Sequence, residues 1–219
     1  GLVDADIAQK VAKKLFEKYG KAQSNPWEKI LPSRIVPSKI NPHWVGEEEV
    51  FLSVQEEKLG FRSIPPGWWK GSWIAAPLWI STTMISQELY VELCHKNPSQ
   101  HQGKNLPVHN VSYSDALHFC NLLSSYFSLP EVYFRIEDRW GRNKQSSGFR
   151  LLEVREWEYL SWSRCKDMEP RQEWTMENTD QKPQALRQKD SNNWGFFDVR
   201  GNLEEWECGQ RRRAALGRV

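Results

Sequence analysis

The chain of 219 residues has no C-x-x-C pair among its four cysteines, Cys94, Cys120, Cys165 and Cys208, which disfavours zinc-ribbon and thioredoxin-like chemistry. Its five histidines are scattered, with no H-x-H or H-x-x-x-H spacing. No G-x-S-x-G, no P-loop and no plausible triad is present, so no catalytic residues are assigned from motifs. Thirty Lys and Arg against 28 Asp and Glu leave a net charge of +2, and no global field of that size recruits nucleic acid or an anionic membrane. The run Arg211-Arg212-Arg213 is the local exception and reads as a solvated tail. No stretch reaches the ~18 apolar residues of a transmembrane helix. The first residue is Gly1, with no basic, apolar, small-residue leader after it, so the sequence is consistent with a mature or expressed fragment, and a lipid anchor on a removed N-terminal segment stays open.

What the chain does have is tryptophan, 12 in all. Large rings filling a core poor in regular structure account for this, with a Trp-lined ligand groove as the sharper alternative. The cluster Trp68, Trp69, Trp73 and Trp79 reads as core or interdomain packing. Residues 4–19 form an amphipathic pattern, with Ile7, Val11, Leu15 and Phe16 on one stripe and Gly20 after it, which predicts a helix. Pro26, Pro32, Pro37 and Pro42 then break all periodicity. Residues 50–54 suggest a short strand.

Two further helices are predicted over residues 86–94 and 112–127. Ser112 with Asp115 forms a capping box, the hydroxyl accepting from a first-turn amide and the carboxylate reaching back, and Ala116, Phe119, Cys120, Leu123 and Phe127 recur at the spacing that buries one face. A short helix over 156–162 buries Trp157 and Leu160, and residues 163–191, rich in charge and proline, read as loop. Cys94 and Cys120 fall on apolar helix faces, where a buried free thiol is ordinary, although disulfides stay open.

Four blocks carry a resemblance. The segment from Ser191 to Trp206 (SNNWGFFDVRGNLEEW) resembles the N-x-(F/W)-G-L-x-D-M-x-G-N-V-W-E-W signature of the formylglycine-generating enzyme (sulfatase-modifying factor) family, a variant of the C-type lectin fold. Residues 106–120 resemble its P-V-x-x-V-S-W-x-D-A-x-x-F-C helix entry, and residues 149–159 its Y-R-L-P-T-E-A-E-W-E-Y element. A weaker block joins Met84 to Tyr90 with Asn97-Pro98-Ser99. The match covers about residues 65–208. It implies an α+β fold of the C-type lectin type, with few long regular elements, several short helices and a small antiparallel sheet. Residues 1–64 would then be an N-terminal helix plus Pro-rich connector, and 65–219 the lectin-like domain.

The resemblance also assigns a calcium site to Asp198, Gly201, Leu203 and Glu205, two side-chain carboxylates and two main-chain carbonyls at i, i+3, i+5 and i+7. A hard cation of this kind takes six to eight oxygens. Read without the family, the same residues make a polar turn. Two departures stand out. Leu152-Glu153 replaces the family's Pro-Thr before the third helix, trading a strong N-cap for a weak one, and Glu204 replaces the Trp before the ligand Glu205. The family's R-V-x-R-G-G-S-W and its copper-binding cysteine pair would follow Val219, so the C-terminal part reads as missing or incomplete and neither copper nor iron is expected. The resemblance extends to retroelement-diversified variable proteins that keep the scaffold without the chemistry. The expectation is a non-catalytic module that binds a protein or other macromolecular ligand through its C-terminal lectin-like face, at the cell surface or otherwise outside the cytoplasm. The alternative is an oxygen-dependent formylglycine-generating or related iron or copper oxidoreductase.

Overall fold

The computed structural model describes residues 49–65, 67–74, 78–163, 173–175, 177–209 and 212–213. The helix expected over residues 4–19 and the Pro-rich connector lie outside them. Three helices and four small antiparallel sheets are present among the described residues, the α+β architecture anticipated above. The largest sheet has the order β1 (Val50–Val54), β2 (Glu57–Ile64), β5 (Leu78–Ser81). Phe61 pairs with both Val50 and Ser81, which puts β2 at its centre. This sheet runs across the expected boundary at residue 64: Val54, Leu59, Phe61 and Ile64 are all buried, so the end of the supposed connector is core. Between β2 and β5, β3 (Gly67–Trp69) and β4 (Ser72–Ile74) form a hairpin.

Helix α1 (Gln87–Cys94) begins at Ser86, whose hydroxyl accepts from Leu89 N at 3.1 Å. Helix α2 (Tyr113–Tyr126) begins at Ser112, whose Oγ accepts from Asp115 N at 3.1 Å. Each bond satisfies an amide that the first turn leaves without a helical partner. The reciprocal half of the α2 box differs from the expectation: the Ser112 hydroxyl donates to Asp115 Oδ2 at 2.6 Å, and Lys96 donates to Oδ1 at 2.7 Å. Phe119, Cys120, Leu123 and Phe127 are buried on the predicted face of α2. Phe119 and Leu123 join Leu59, Phe61, Leu89 and Tyr90 in the first core cluster, with the Tyr90 and Phe119 rings stacked at 5.4 Å.

The β6 (Tyr133–Ile136) and β7 (Arg139–Arg142) hairpin leads to α3 (Val154–Trp162). Its N-terminus is better held than Glu153 alone implied. The Glu156 carboxylate accepts from Glu153 N at 2.8 Å and is gripped by both terminal nitrogens of Arg150 at 2.7 and 2.6 Å. Tyr159 and Leu160 on α3 pack with Ile64, Ile74, Ile80, Trp194 and Phe196 in a second cluster, and Trp69 meets the rings of Tyr159 and Trp162, which places it in packing as read from sequence. The basic run is not simply a tail, because the backbone of β9 (Arg212–Arg213) pairs with β8 (Glu205–Trp206).

Candidate functional site

The segment 191–206 divides its work between packing and acid chemistry. Asn192 knots the first turn: its Oδ1 accepts from Trp194 N (3.0 Å) and Phe196 N (3.1 Å), and its backbone N donates to Phe196 O at 2.8 Å. The turn sends the Trp194 and Phe196 rings, 2% and 1% exposed, into the core. The next residues face a different environment.

Asp198 is buried and carries a positive φ of 53°. Its Oδ1 accepts from Trp174 Nε1 and its Oδ2 from Arg187 N, each at 3.1 Å. Burial pushes its carboxyl above the usual range, with those two donors and the charges of Arg187 and Lys189 acting the other way. The Arg187 guanidinium is itself engaged elsewhere, paired with Glu49 and bonded to Thr82 Oγ1 (2.7 Å), and it lies over the Phe197 ring at 4.7 Å. Glu205, at the start of β8, gives Oε2 to Trp157 Nε1 at 3.1 Å. Burial drives its carboxyl up to about 7, Trp157 opposes this, and the nearby charge of Asp198 adds to it.

Gly201 sits between them at φ +95°, and a Cβ there would stand 2.2 Å from Trp174 O and 2.8 Å from Trp174 N. A φ in this range favours glycine. A second reason is the close approach of the segment that delivers the Trp174 indole to Asp198. The Gly201 carbonyl accepts from Leu203 N at 2.9 Å. Asn202 clasps Gln184 both ways, Oδ1 accepting from its N and Nδ2 donating to its O, each at 2.9 Å.

The four residues singled out from sequence therefore lie on one short segment that runs from Asp198 to Glu205 at the start of β8, with the charge of Asp198 acting on Glu205. Among the described residues, no third acidic, His or Cys side chain completes a cluster with them. What sequence reading missed is the pair of indole donors. Trp157 was assigned to the core alone, and Trp174, in a charged loop, carries no local signal at all.

Glu205 also lines a cavity of about 240 Å³, together with Phe119, Leu123, Trp157 and Trp206. Phe119, Leu123 and Trp157 are buried around it, as expected. The three described cysteines are free. Cys120 is buried and its thiol is pushed up to about 12 by that burial. Cys94 is raised for the same reason, and Cys208 Sγ accepts from Arg142 Nη1 at 3.3 Å.

Short helices and small sheets packed around hydrophobic clusters, with a Gly-Asn acidic loop, define a scaffold of the C-type lectin kind. The family model described as sulfatase-modifying factor enzyme 1-like domain matches residues 70–212, and the chain belongs to this family. Among solved structures it is similar to Treponema denticola variable protein 1, with 22% identity and a TM-score of 0.60 over 73% of this chain and 76% of that one. It is also similar to CarF, with 23% identity and a TM-score of 0.49 over 59% and 67%. A curated relative is the chaperone protein LppX of Paenibacillus barcinonensis, 22% identical over 163 residues. The match takes in 56% of this chain and spans 58% of the relative's length. Among the described residues, no helix is long and apolar enough to cross a membrane.

Proposed function

We propose that the chain is a non-catalytic binding module, presenting a protein or other macromolecular ligand with the C-terminal face of its lectin-like scaffold, outside the cytoplasm. The observation that carries this reading is the condition of the three described thiols. Copper(I) chemistry needs paired thiolates, whereas burial keeps Cys120 and Cys94 protonated on separate helices and Cys208 rests under Arg142. The likeness to a variable protein and to a chaperone supports binding over turnover. The test is oxygen consumption with a sulfatase-type Cys-x-Pro-x-Arg peptide. None is expected, and turnover that disappears on mutating any of the four cysteines would replace this reading with the oxidase.

The same reading gives calcium a structural role, held by the side chains of Asp198 and Glu205 and the carbonyls of Gly201 and Leu203. Bound there, the ion would supply positive charge between two buried carboxylates and fix the loop. Because Trp174 and Trp157 donate to those carboxylates, calcium titration should change indole emission. Calcium at about a hundredfold its Kd should add ~2.7 kcal/mol of stability, an increment that Asp198→Asn abolishes. An unchanged melting temperature and emission on adding calcium to the wild type would remove the ion from this account.

A further inference from the structure

The loop joining α1 to α2 folds around two side chains, and one of them titrates. Gln87 in α1 donates from Nε2 to His101 O (2.8 Å) and Pro107 O (3.3 Å), while its Oε1 accepts from Asn97 Nδ2 at 3.0 Å. His109 closes the other side. Its Nε2 accepts from the backbone N–H of Gln100 at 3.1 Å and of His101 at 3.2 Å, and its Nδ1 lies 3.5 Å from Pro107 O. Its own backbone N donates to Ser99 Oγ at 3.0 Å. Two amide donors converging on Nε2 require a lone pair there, which only the neutral ring with its proton on Nδ1 provides.

We propose that His109 is a pH-sensitive clasp: a proton arriving on Nε2 turns an acceptor of two amides into a third N–H facing them, and loop residues 99–103 are released. The surroundings offer the charged ring little support. His101 faces it, ring centroids 5.9 Å apart. From α1, Glu88 is committed to Asn105 N at 2.8 Å, and at the junction of α1 and α2 the charges of Lys96 and Asp115 satisfy each other. None of these carboxylates bonds the imidazole. Burial, with His101 adding, holds the ring's pKa below the ordinary 6.5, against the Pro107 carbonyl. The folded value is thus depressed, so the clasp is intact above the ordinary histidine range and is lost as pH falls through that depressed value.

The experiment is backbone amide hydrogen exchange of Gln100 and His101 in the whole chain, corrected for the intrinsic pH dependence of exchange. Between about pH 7.5 and about pH 5 their protection should fall at least tenfold while α2 amides keep theirs. His109→Gln places a non-titrating acceptor at similar reach and should hold the loop at both pH values. Equal protection of the wild-type amides at both pH values, or the same acid loss in His109→Gln, overturns the proposal. Should that variant not fold, imidazole ¹⁵N shifts of the wild type decide. An unprotonated Nε2 at neutral pH with a midpoint below the ordinary value supports the clasp, and a protonated Nε2 or a midpoint at or above that value refutes it.

Discussion

Replacing Trp157 separates packing from the hydrogen bond that reaches the acidic loop. The indole is 8% exposed, lies against the cavity shared with Phe119 and Leu123, and donates to Glu205 Oε2 at 3.1 Å. Trp157→Ala removes both contributions. Deleting a buried Trp typically costs ~3–5 kcal/mol, and stranding a buried carboxyl without its donor adds about 1–3 kcal/mol. Trp157→Phe keeps most of the apolar contact and deletes the N–H, so its cost should approach the second figure alone. Equilibrium denaturation in chelator measures both. A double-mutant cycle of Trp157→Phe with Glu205→Ala, which removes the acceptor, then isolates the bond, with a coupling of about 1–3 kcal/mol expected. If Trp157→Ala stays within about 1 kcal/mol of wild type, Trp157 is not a core residue and the assignment of the α3 block fails. If the cycle returns no coupling, the indole does not support Glu205.

Gly201→Ala should destabilise by roughly 1–3 kcal/mol or more, since it combines a positive φ with backbone contact at Trp174. The same variant should weaken the Trp174–Asp198 bond, and stability within about 0.5 kcal/mol of wild type would show that the two segments do not approach as described. At the start of α2, Lys96 and then Ser112 hold the Asp115 carboxyl below its usual range. The folded value is depressed, so the stabilisation is present above the ordinary aspartate pKa and disappears as pH falls through the lower, folded value. The group is partly exposed and screened, so Asp115→Asn should cost only about 0.5–1 kcal/mol at neutral pH, and no difference from wild type should remain well below that value. A gap that persists in acid would point to lost packing instead.

Local order was legible because its causes are local. Ser86 and Ser112 each sit immediately before an apolar periodic run, and a hydroxyl there meets a first-turn amide whatever the rest of the chain does. The same reasoning failed where a partner lies far away. Nothing within Glu57–Ile64 says that its other edge is filled by Leu78–Ser81, so a central strand read as the end of a connector. Arg212 and Arg213 read as tail on charge alone, yet their backbone finds Glu205 and Trp206. His109 carried no specific signal in the sequence because the amides it accepts from belong to a loop eight and nine residues earlier.

The acidic loop shows the same division. The spacing of Asp198 and Glu205 is visible in the sequence, but their donors come from 24 and 48 residues away. The segment before Asp198 is anchored at Leu186 to Asn105, 81 residues upstream. A motif of this kind therefore specifies which oxygens can gather, while distant tryptophans and amides decide how much of their charge is already answered. A buried carboxylate met by neutral N–H donors has less of its charge answered than one paired with an arginine, and burial raises both carboxyls here, Glu205 to about 7. That is why the choice of Trp157 and Trp174 as partners bears on the chemistry of the loop as well as its packing: both carboxyls are met by neutral indole N–H groups while burial raises them.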